Sequence, residues 1–286
     1  MADSRNKRSN TNTNKSSEFR LRSLSGVAIA VIMLTSIYYG GIVWQITASL
    51  IALISLSEYY TLIGRLNNTR LSPGLGYIFS LVFFLAAIKE NAQPIILAMI
   101  LSLCVCAVLV IEIFRRQLTK GTSFAITNTG GIISGVLYIT VPWVCMIMLR
   151  DYVIGRQILM TLFFCTWGCD VAAYIFGKRF GTTKLCEHVS QGKTIQGFVA
   201  GAIGSLVMNA IAIYAFSLPT YPLILIGFIC GIVGQVGDLA ESLLKREAGQ
   251  KDSGVLIPGH GGMLDRFDSI LFNGLTTYFV LRVLLQ

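Results

Sequence analysis

Residues 93–113 read QPIILAMILSLCVCAVLVIEI. One residue in this run carries a charge, Glu112, and it stands next to the end. About 20 apolar residues in a helix cross the ~30 Å hydrocarbon core of a bilayer. Lipid demands a helix there, because a helix satisfies its backbone amides and carbonyls within the segment. Comparable runs lie on both sides, at about 24–39, 42–63, 73–88, 129–149, 156–176, 197–217, 221–240 and 269–285. The first, third and last are short for a full crossing, and the second ends in the polar cluster Ser57, Glu58, Tyr59 and Tyr60. The whole chain agrees with its parts. Of 286 residues, 54% are hydrophobic and 13% charged, and the mean hydropathy is +0.68. Soluble domains carry about 25% charged residues, so a soluble, disordered, collagen-like or disulfide-rich secreted chain is excluded. The sequence predicts an all-α polytopic integral membrane protein with about nine transmembrane helices.

Charge sets the expected orientation. The net charge is +9, from 23 Lys and Arg against 14 Asp and Glu. With the N-terminus in the cytoplasm and strict alternation, every basic residue falls on the cytoplasmic side except Lys89, Arg150, Arg156 and Arg282. Such a bias is the positive-inside pattern. It accounts for the positive charge by topology and anionic lipid, without nucleic acid. Residues 1–22 form a basic, Asn/Ser/Thr-rich tail, expected to be solvated and cytoplasmic. The tail and the run after it imitate a signal peptide, but no convincing small-residue cleavage site follows, so the run is expected to be a first anchor. Residues 23–155 make an N-terminal membrane region. Residues 156–286 make a C-terminal one carrying two long cytoplasmic loops, 177–196 and 241–268. Seven cysteines are scattered through or beside apolar stretches without a CxxC pair, and read as small apolar fillers.

Acids inside apolar runs are costly and mark function. Asp170 lies in TLFFCTWGCDVAAY, and Asp238 ends a glycine-rich span. Glu58 and Glu112 read as interface carboxylates or as partners of Arg115 or Arg116. On a helix Asp238, Glu241, Ser242 and Lys245 share one face. Glu241 and Lys245 taken alone would make an i,i+4 ion pair on a solvated face. The stretch 251–269, KDSGVLIPGHGGMLDRFDS, follows. Pro258 to Gly262 predicts a tight turn with exposed amides feeding a helix N-terminus, a natural anion site. Asp265, Asp268 and Ser269 share the first turn after it. Carboxylates that close to a phosphate-binding turn call for a divalent cation. The other loop places Asp170, Tyr174 and Gly177 on one face and then mixes basic residues, hydroxyls and glycines. That mixture suits phosphate, though a positive-inside loop looks similar. It lacks P-loop spacing. Glycines at 197 and 201, and at 227, 231, 234 and 237, predict close helix packing.

At residues 237–269 the sequence resembles the phosphatidate cytidylyltransferases, or CDP-diacylglycerol synthases. The resemblance is carried by Ser242, Lys245, Arg246, Lys251, Asp252, Pro258, His260, Gly261, Gly262, Asp265, Arg266 and Asp268. It continues through Asp170, Ala173, Tyr174, Gly177, Lys178, Phe180, Gly181, Ser190, Lys193, Thr194 and Gly197. Gln191 stands where proline is usual and Gln196 where glutamate is usual. Before about residue 160 the likeness is apolar character and span count. The resemblance implies that phosphatidate and CTP react to give CDP-diacylglycerol and pyrophosphate with Mg²⁺. It implies a metal at Asp238 and Asp265 with Asp268 close by, and Asp252 as a further ligand or orienting group. Lys245, Arg246, Lys251 and Arg266 would bind phosphates, Ser242 would join them, and His260 would bind phosphate or fix the turn. Substrate contacts fall to Asp170, Tyr174, Lys178, Lys184, Ser190, Lys193, Thr194, Gly259, Gly261 and Gly262. It further implies a multi-pass inner-membrane enzyme with a cytoplasm-facing site, and leaves room for a monovalent second cation and a homodimer. Two other readings remain open. One is a CTP-dependent enzyme for an ether isoprenoid lipid or a polyprenol. The other, less favoured, is a transporter coupling ions through Asp170 and Asp238.

Overall fold

A computed structural model describes residues 24–89, 94–121, 124–217, 220–256 and 261–284. The 1–22 tail, Pro258, Gly259 and His260 lie outside the described residues. Nine helices occupy the nine apolar runs among the described residues. They are α1 (Leu24–Tyr39), α2 (Gly41–Ile63), α3 (Pro73–Ile88), α4 (Pro94–Leu118), α5 (Ala125–Arg150), α6 (Gly155–Phe180), α7 (Ile195–Ala215), α8 (Thr220–Phe228 continuing to Glu247) and α9 (Leu264–Leu284). Six of them, α2 and α4 to α8, are long and apolar enough to cross a membrane. Helices α1 and α3 are shorter; the 16 residues of α3 reach only about 24 Å at 1.5 Å per residue. Helix α9 has 21 residues but carries Asp265, Arg266, Asp268 and Arg282.

Contacts at the helix ends sort them into two sets. Loop residues after α2 meet the end of α4, where Arg115 donates to Ser72 Oγ and to the Arg70 carbonyl. Glu112 pairs with Arg115 at 2.7 Å and accepts from Asn128 Nδ2 at the start of α5, so it is the partner of Arg115 that the sequence allowed. At the other end Arg150 Nε donates to the Ile37 carbonyl of α1. The ends of α2 and α4 thus lie beside the start of α5, and the end of α5 lies beside the end of α1.

Two expected loops turn out to be shorter. Helix α8 runs on to Glu247 and α9 starts at Leu264, leaving 248–263 as the connection in place of 241–268. The 177–196 segment is mostly ordered structure. Helix α6 extends to Phe180, and an antiparallel hairpin follows, β1 (Lys184–Cys186) paired with β2 (Ser190–Thr194). Hydropathy ends a span where polarity begins, but the backbone stays helical wherever tertiary partners satisfy the polar side chains. The polar cluster ending the second run is likewise interior: Glu58, Tyr59 and Tyr60 are buried, with the Tyr60 hydroxyl donating to the Ile132 carbonyl at 3.0 Å.

Helices α6 and α7 pack at backbone distance. A Cβ on Gly197 would lie 3.0 Å from the Ala173 carbonyl and 3.1 Å from Gly177 Cα, so only glycine lets the two chains approach. Single π turns interrupt α5 at Val136–Thr140 and α8 at Ile229–Val233. The second re-phases α8 immediately before Gly234–Asp238, and such turns are common at functional sites. Between the layers Trp143 packs edge-on against Phe267 at 5.3 Å, which seats α9 on α5. Leu50, Leu103, Val207 and Phe279 are among many large apolar side chains left exposed, the surface expected where the solvent is lipid.

Candidate active site

The stripe predicted on α8 exists, but it faces inward. Glu241 is fully buried, which removes the solvated-face ion pair as its description. Lys245 Nζ lies 2.5 Å from Glu241 Oε2 and 2.6 Å from Asp265 Oδ1, so one ammonium joins α8 to the first turn of α9. Removing a charge from water costs several kcal/mol, and only this pairing offsets it. Glu241 Oε1 has no hydrogen-bond partner among the described residues. Ser242 Oγ reaches Asp238 Oδ1 at 3.4 Å.

Asp265 does more than pair with Lys245. Its Oδ2 accepts from Ser253 N at 2.9 Å, Ser253 Oγ at 2.9 Å and Gly262 N at 2.8 Å. The Lys245 ammonium and the amides of Ser253 and Gly262 supply the donors that compensate its burial. A carboxylate offers about four acceptor positions, and Asp265 accepts four bonds. These bonds tie the loop between α8 and α9 to the first turn of α9. Gly261, at the end of the expected turn, has φ 84°, and a Cβ there would lie 2.8 Å from Asp265 Oδ2; the preceding Pro258, Gly259 and His260 lie outside the described residues.

Three other carboxylates face a common space. Asp170 from α6, Asp238 from α8 and Asp268 from α9 line one cavity of about 310 Å³, together with Asp265 and Arg266. Asp170 and Asp238 also line a neighbouring cavity of about 510 Å³, with Tyr174, Lys178, Ser190, Lys193 and Thr194 around it. Lys193 Nζ pairs with Asp238 Oδ2 at 2.7 Å. Lys178 Nζ sits 5.6 Å from the centre of the Tyr174 ring. Thr194 lends its hydroxyl to the start of α7, accepting from Gly197 N at 3.1 Å. The two cavities meet at Asp170 and Asp238. Among the described residues no three His, Cys, Asp or Glu side chains stand close enough together to hold a metal ion. The acids that line the smaller cavity offer hard carboxylate oxygens, a donor type that suits Mg²⁺ rather than a softer metal.

Some predicted residues serve the frame. Lys184 Nζ donates to the Gln191 carbonyl at 2.7 Å, and Lys184 does not line either cavity. Arg246, exposed, donates to the Val189 and Gln250 carbonyls, latching the hairpin to the end of α8. Lys251 and Asp252 stand exposed at the start of the loop. Gln196 ties the start of α7 back to the end of α6. Its Oε1 accepts from Thr182 N and Thr183 N, and its Nε2 donates to Thr182 Oγ1 at 2.7 Å. Those bonds use both a donor and an acceptor, which explains why an uncharged side chain is accommodated at this position.

The placement of two residues was not foreseeable from local sequence. Glu58, expected at an interface or beside Arg115 or Arg116, instead reaches from α2 to the start of α9. There it accepts from Met263 N and Leu264 N at 2.8 Å each. The only signal was an acid closing an apolar run. Gln235 holds α8 to α7 by donating to the Phe198 carbonyl at 3.0 Å, and its own carbonyl receives Lys193 at 3.5 Å.

Comparison with known proteins accords with this geometry. A model of the cytidylyltransferase family matches residues 20–284. The chain belongs to the cytidylyltransferase family. Phosphatidate cytidylyltransferases of Staphylococcus aureus (strain COL) and Staphylococcus haemolyticus are 31% and 32% identical over 255 residues, covering 88% of this chain and 95% of theirs. That of Synechocystis is 41% identical over 138 residues, 48% of this chain and 47% of its own length. The family match takes in the N-terminal helices, for which the motifs offered only apolar character. The cytidylyltransferase unit therefore includes Glu58 along with the loop it grips.

Proposed function

We propose that this chain transfers the CMP group of CTP to phosphatidate, giving CDP-diacylglycerol and pyrophosphate. The observation that carries the reading is the meeting of Asp170, Asp238 and Asp268 with Lys193 and Arg266 at one end of the helix bundle, in a member of the cytidylyltransferase family. A phosphatidate oxygen attacks the α-phosphorus of CTP, and the bond to the departing pyrophosphate breaks. Phosphatidate is already an anion near neutral pH, so no general base is needed. What remains is positioning and neutralisation of charge.

The cavity beside the hairpin, lined by Lys178, Ser190 and Lys193, receives the triphosphate. The cavity at α9, with Arg266 at its edge, receives the lipid phosphate. Asp170, Asp238 and Asp268 would hold Mg²⁺, while Asp265 fixes the turn at Gly261 and Gly262. When bound, the ion would offset the charge on the phosphates between these acids. The helices cross the inner membrane about nine times, with both cavities on the cytoplasmic side, where CTP is dissolved and the phosphatidate headgroup is exposed. Placement at helix ends lets the lipid react without leaving the bilayer. A homodimer is compatible with this arrangement.

Purified protein with labelled CTP, phosphatidate and Mg²⁺ should yield labelled CDP-diacylglycerol, and EDTA should abolish it. Absence of product in the presence of Mg²⁺ would refute the reaction. Preferential transfer to an ether-linked acceptor would reassign the lipid.

A further inference from the structure

We propose that Glu58 is a positioning residue for this reaction, acting from the N-terminal half of the chain on the loop and helix that carry Asp265 and Asp268. The inference rests on the reaction proposed above. Glu58 is buried on α2, and its carboxylate joins the interior of the α8–α9 connection at Ser253 to its junction with α9. At one end Ser253 Oγ stands 3.1 Å from Glu58 Oε2 and 2.9 Å from Asp265 Oδ2. One hydroxyl proton thus lies between two carboxylates that are themselves anchored to different helices. At the other end the amides of Met263 and Leu264 donate to Oε1 and Oε2. These are orphan amides at the start of α9, where a negative charge is favoured. The surroundings are shaped to the carboxylate. A Cβ at Gly254 would lie 2.6 Å from Glu58 Oε1, and one at Gly262 would lie 2.5 Å from Oε2.

A chain of contacts results, from Glu58 through Ser253 to Asp265, then through Lys245 to Glu241. It fixes where α9 begins, and Asp268 lies one turn into α9. Glu58 touches neither cavity. Its influence on turnover is therefore indirect. The groups assigned to the triphosphate, Lys178, Ser190 and Lys193, belong to α6 and the hairpin, which Glu58 does not touch. Its loss should consequently lower kcat and leave the KM for CTP nearly unchanged.

The test uses the full chain in detergent or vesicles, with Mg²⁺, CTP and phosphatidate. Glu58→Gln turns one acceptor oxygen into an NH₂ group facing the Leu264 amide. It should lower kcat about 10- to 100-fold, the scale of a misplacement near 1 Å. The KM for CTP should stay within about threefold, and hydrogen exchange of the peptide containing Met263 and Leu264 should accelerate. Glu58→Asp keeps the charge and should recover part of kcat. Glu112→Gln, a control at a buried carboxylate that pairs with Arg115, should leave kcat unchanged. A folded Glu58→Gln with kcat within twofold of the parent overturns the proposal, as does a loss that Glu112→Gln shares. Should Glu58→Gln fail to fold, Ser253→Ala takes its place and should lower kcat at constant KM; an unchanged kcat there also overturns it. An inactive parent chain overturns the reaction itself, whereas an active parent with an indifferent Glu58→Gln overturns the positioning claim alone.

Discussion

Lys245 and Asp238 lie two helical turns apart on α8, yet the structure gives them opposite roles. Lys245 is buried between Glu241 and Asp265. Asp238 is about one-third exposed, opens on both cavities, and pairs with the partly exposed Lys193. Lys245→Ala would leave two buried carboxylates without their cation, an uncompensated charge that costs about 3–5 kcal/mol. Asp238→Asn loses a half-exposed pair worth about 1 kcal/mol or less. Its effect should fall on chemistry instead, with CMP transfer reduced by about 10²-fold or more, because on the proposed mechanism Asp238 helps hold the Mg²⁺ that would offset charge on the reacting phosphates. Thermal unfolding in detergent and the labelled-CTP assay separate the two. Equal loss of stability in both variants would contradict the division. The helical face carrying these residues was legible in the sequence, because i, i+3, i+4 and i+7 positions must align. Which way the face points was not legible. Nor was the partnership of Glu58 with the loop, since its partners lie 195 to 206 residues away and no local pattern records them.

At the scale of elements, the apolar cores of all nine helices were visible, while their polar ends and the hairpin were not. The last turns of α8 and the first of α9 are polar, and they are held helical by the Glu241–Lys245–Asp265 network, which hydropathy cannot register. The hairpin strands have three and five residues and no alternation of apolar positions. Pairing there depends on contacts such as that of Lys184 with the Gln191 carbonyl. The glycine spacing, by contrast, foretold close packing correctly, and Gly237 shows its link to the site. A Cβ there would lie 2.9 Å from the Asp268 carbonyl and 3.0 Å from the Phe272 ring. Gly237→Ala must therefore push α9 away from α8. Overpacking of this kind costs about 1–3 kcal/mol, and the displacement falls on Asp268. Gly130 in α5 has nothing within 4 Å of its own added Cβ, so Gly130→Ala should be neutral or stabilising by up to about 1 kcal/mol. Denaturation midpoints and CMP transfer for the pair test this, and a Gly237→Ala protein with unchanged activity would show that the α8–α9 spacing is not critical.

For the molecule as a whole, the helix ends form two polar layers of very different character. Both cavities, the hairpin and the α8–α9 loop lie at one end. Arg150, Arg156 and Arg282 lie at the other, where Arg150 and Arg156 hold the end of α1 through the Ile37 carbonyl and the Tyr38 ring. Three of the four basic residues that depart from the positive-inside bias therefore sit at the end away from the site, all in structural contacts, Arg282 with the Tyr278 hydroxyl. On the proposed topology the bias would orient the cavities toward the cytoplasm, and a residue at the site end can report it. Cys186 is exposed on the hairpin, beside the cavity proposed to receive the triphosphate. A membrane-impermeant maleimide should label it in inside-out vesicles and spare it in intact cells, with Cys186→Ser removing the signal. Labelling from the outside would place the hairpin, and every carboxylate joined to it through α6 and α8, on the face of the membrane where CTP is absent, and the proposed reaction could not proceed there.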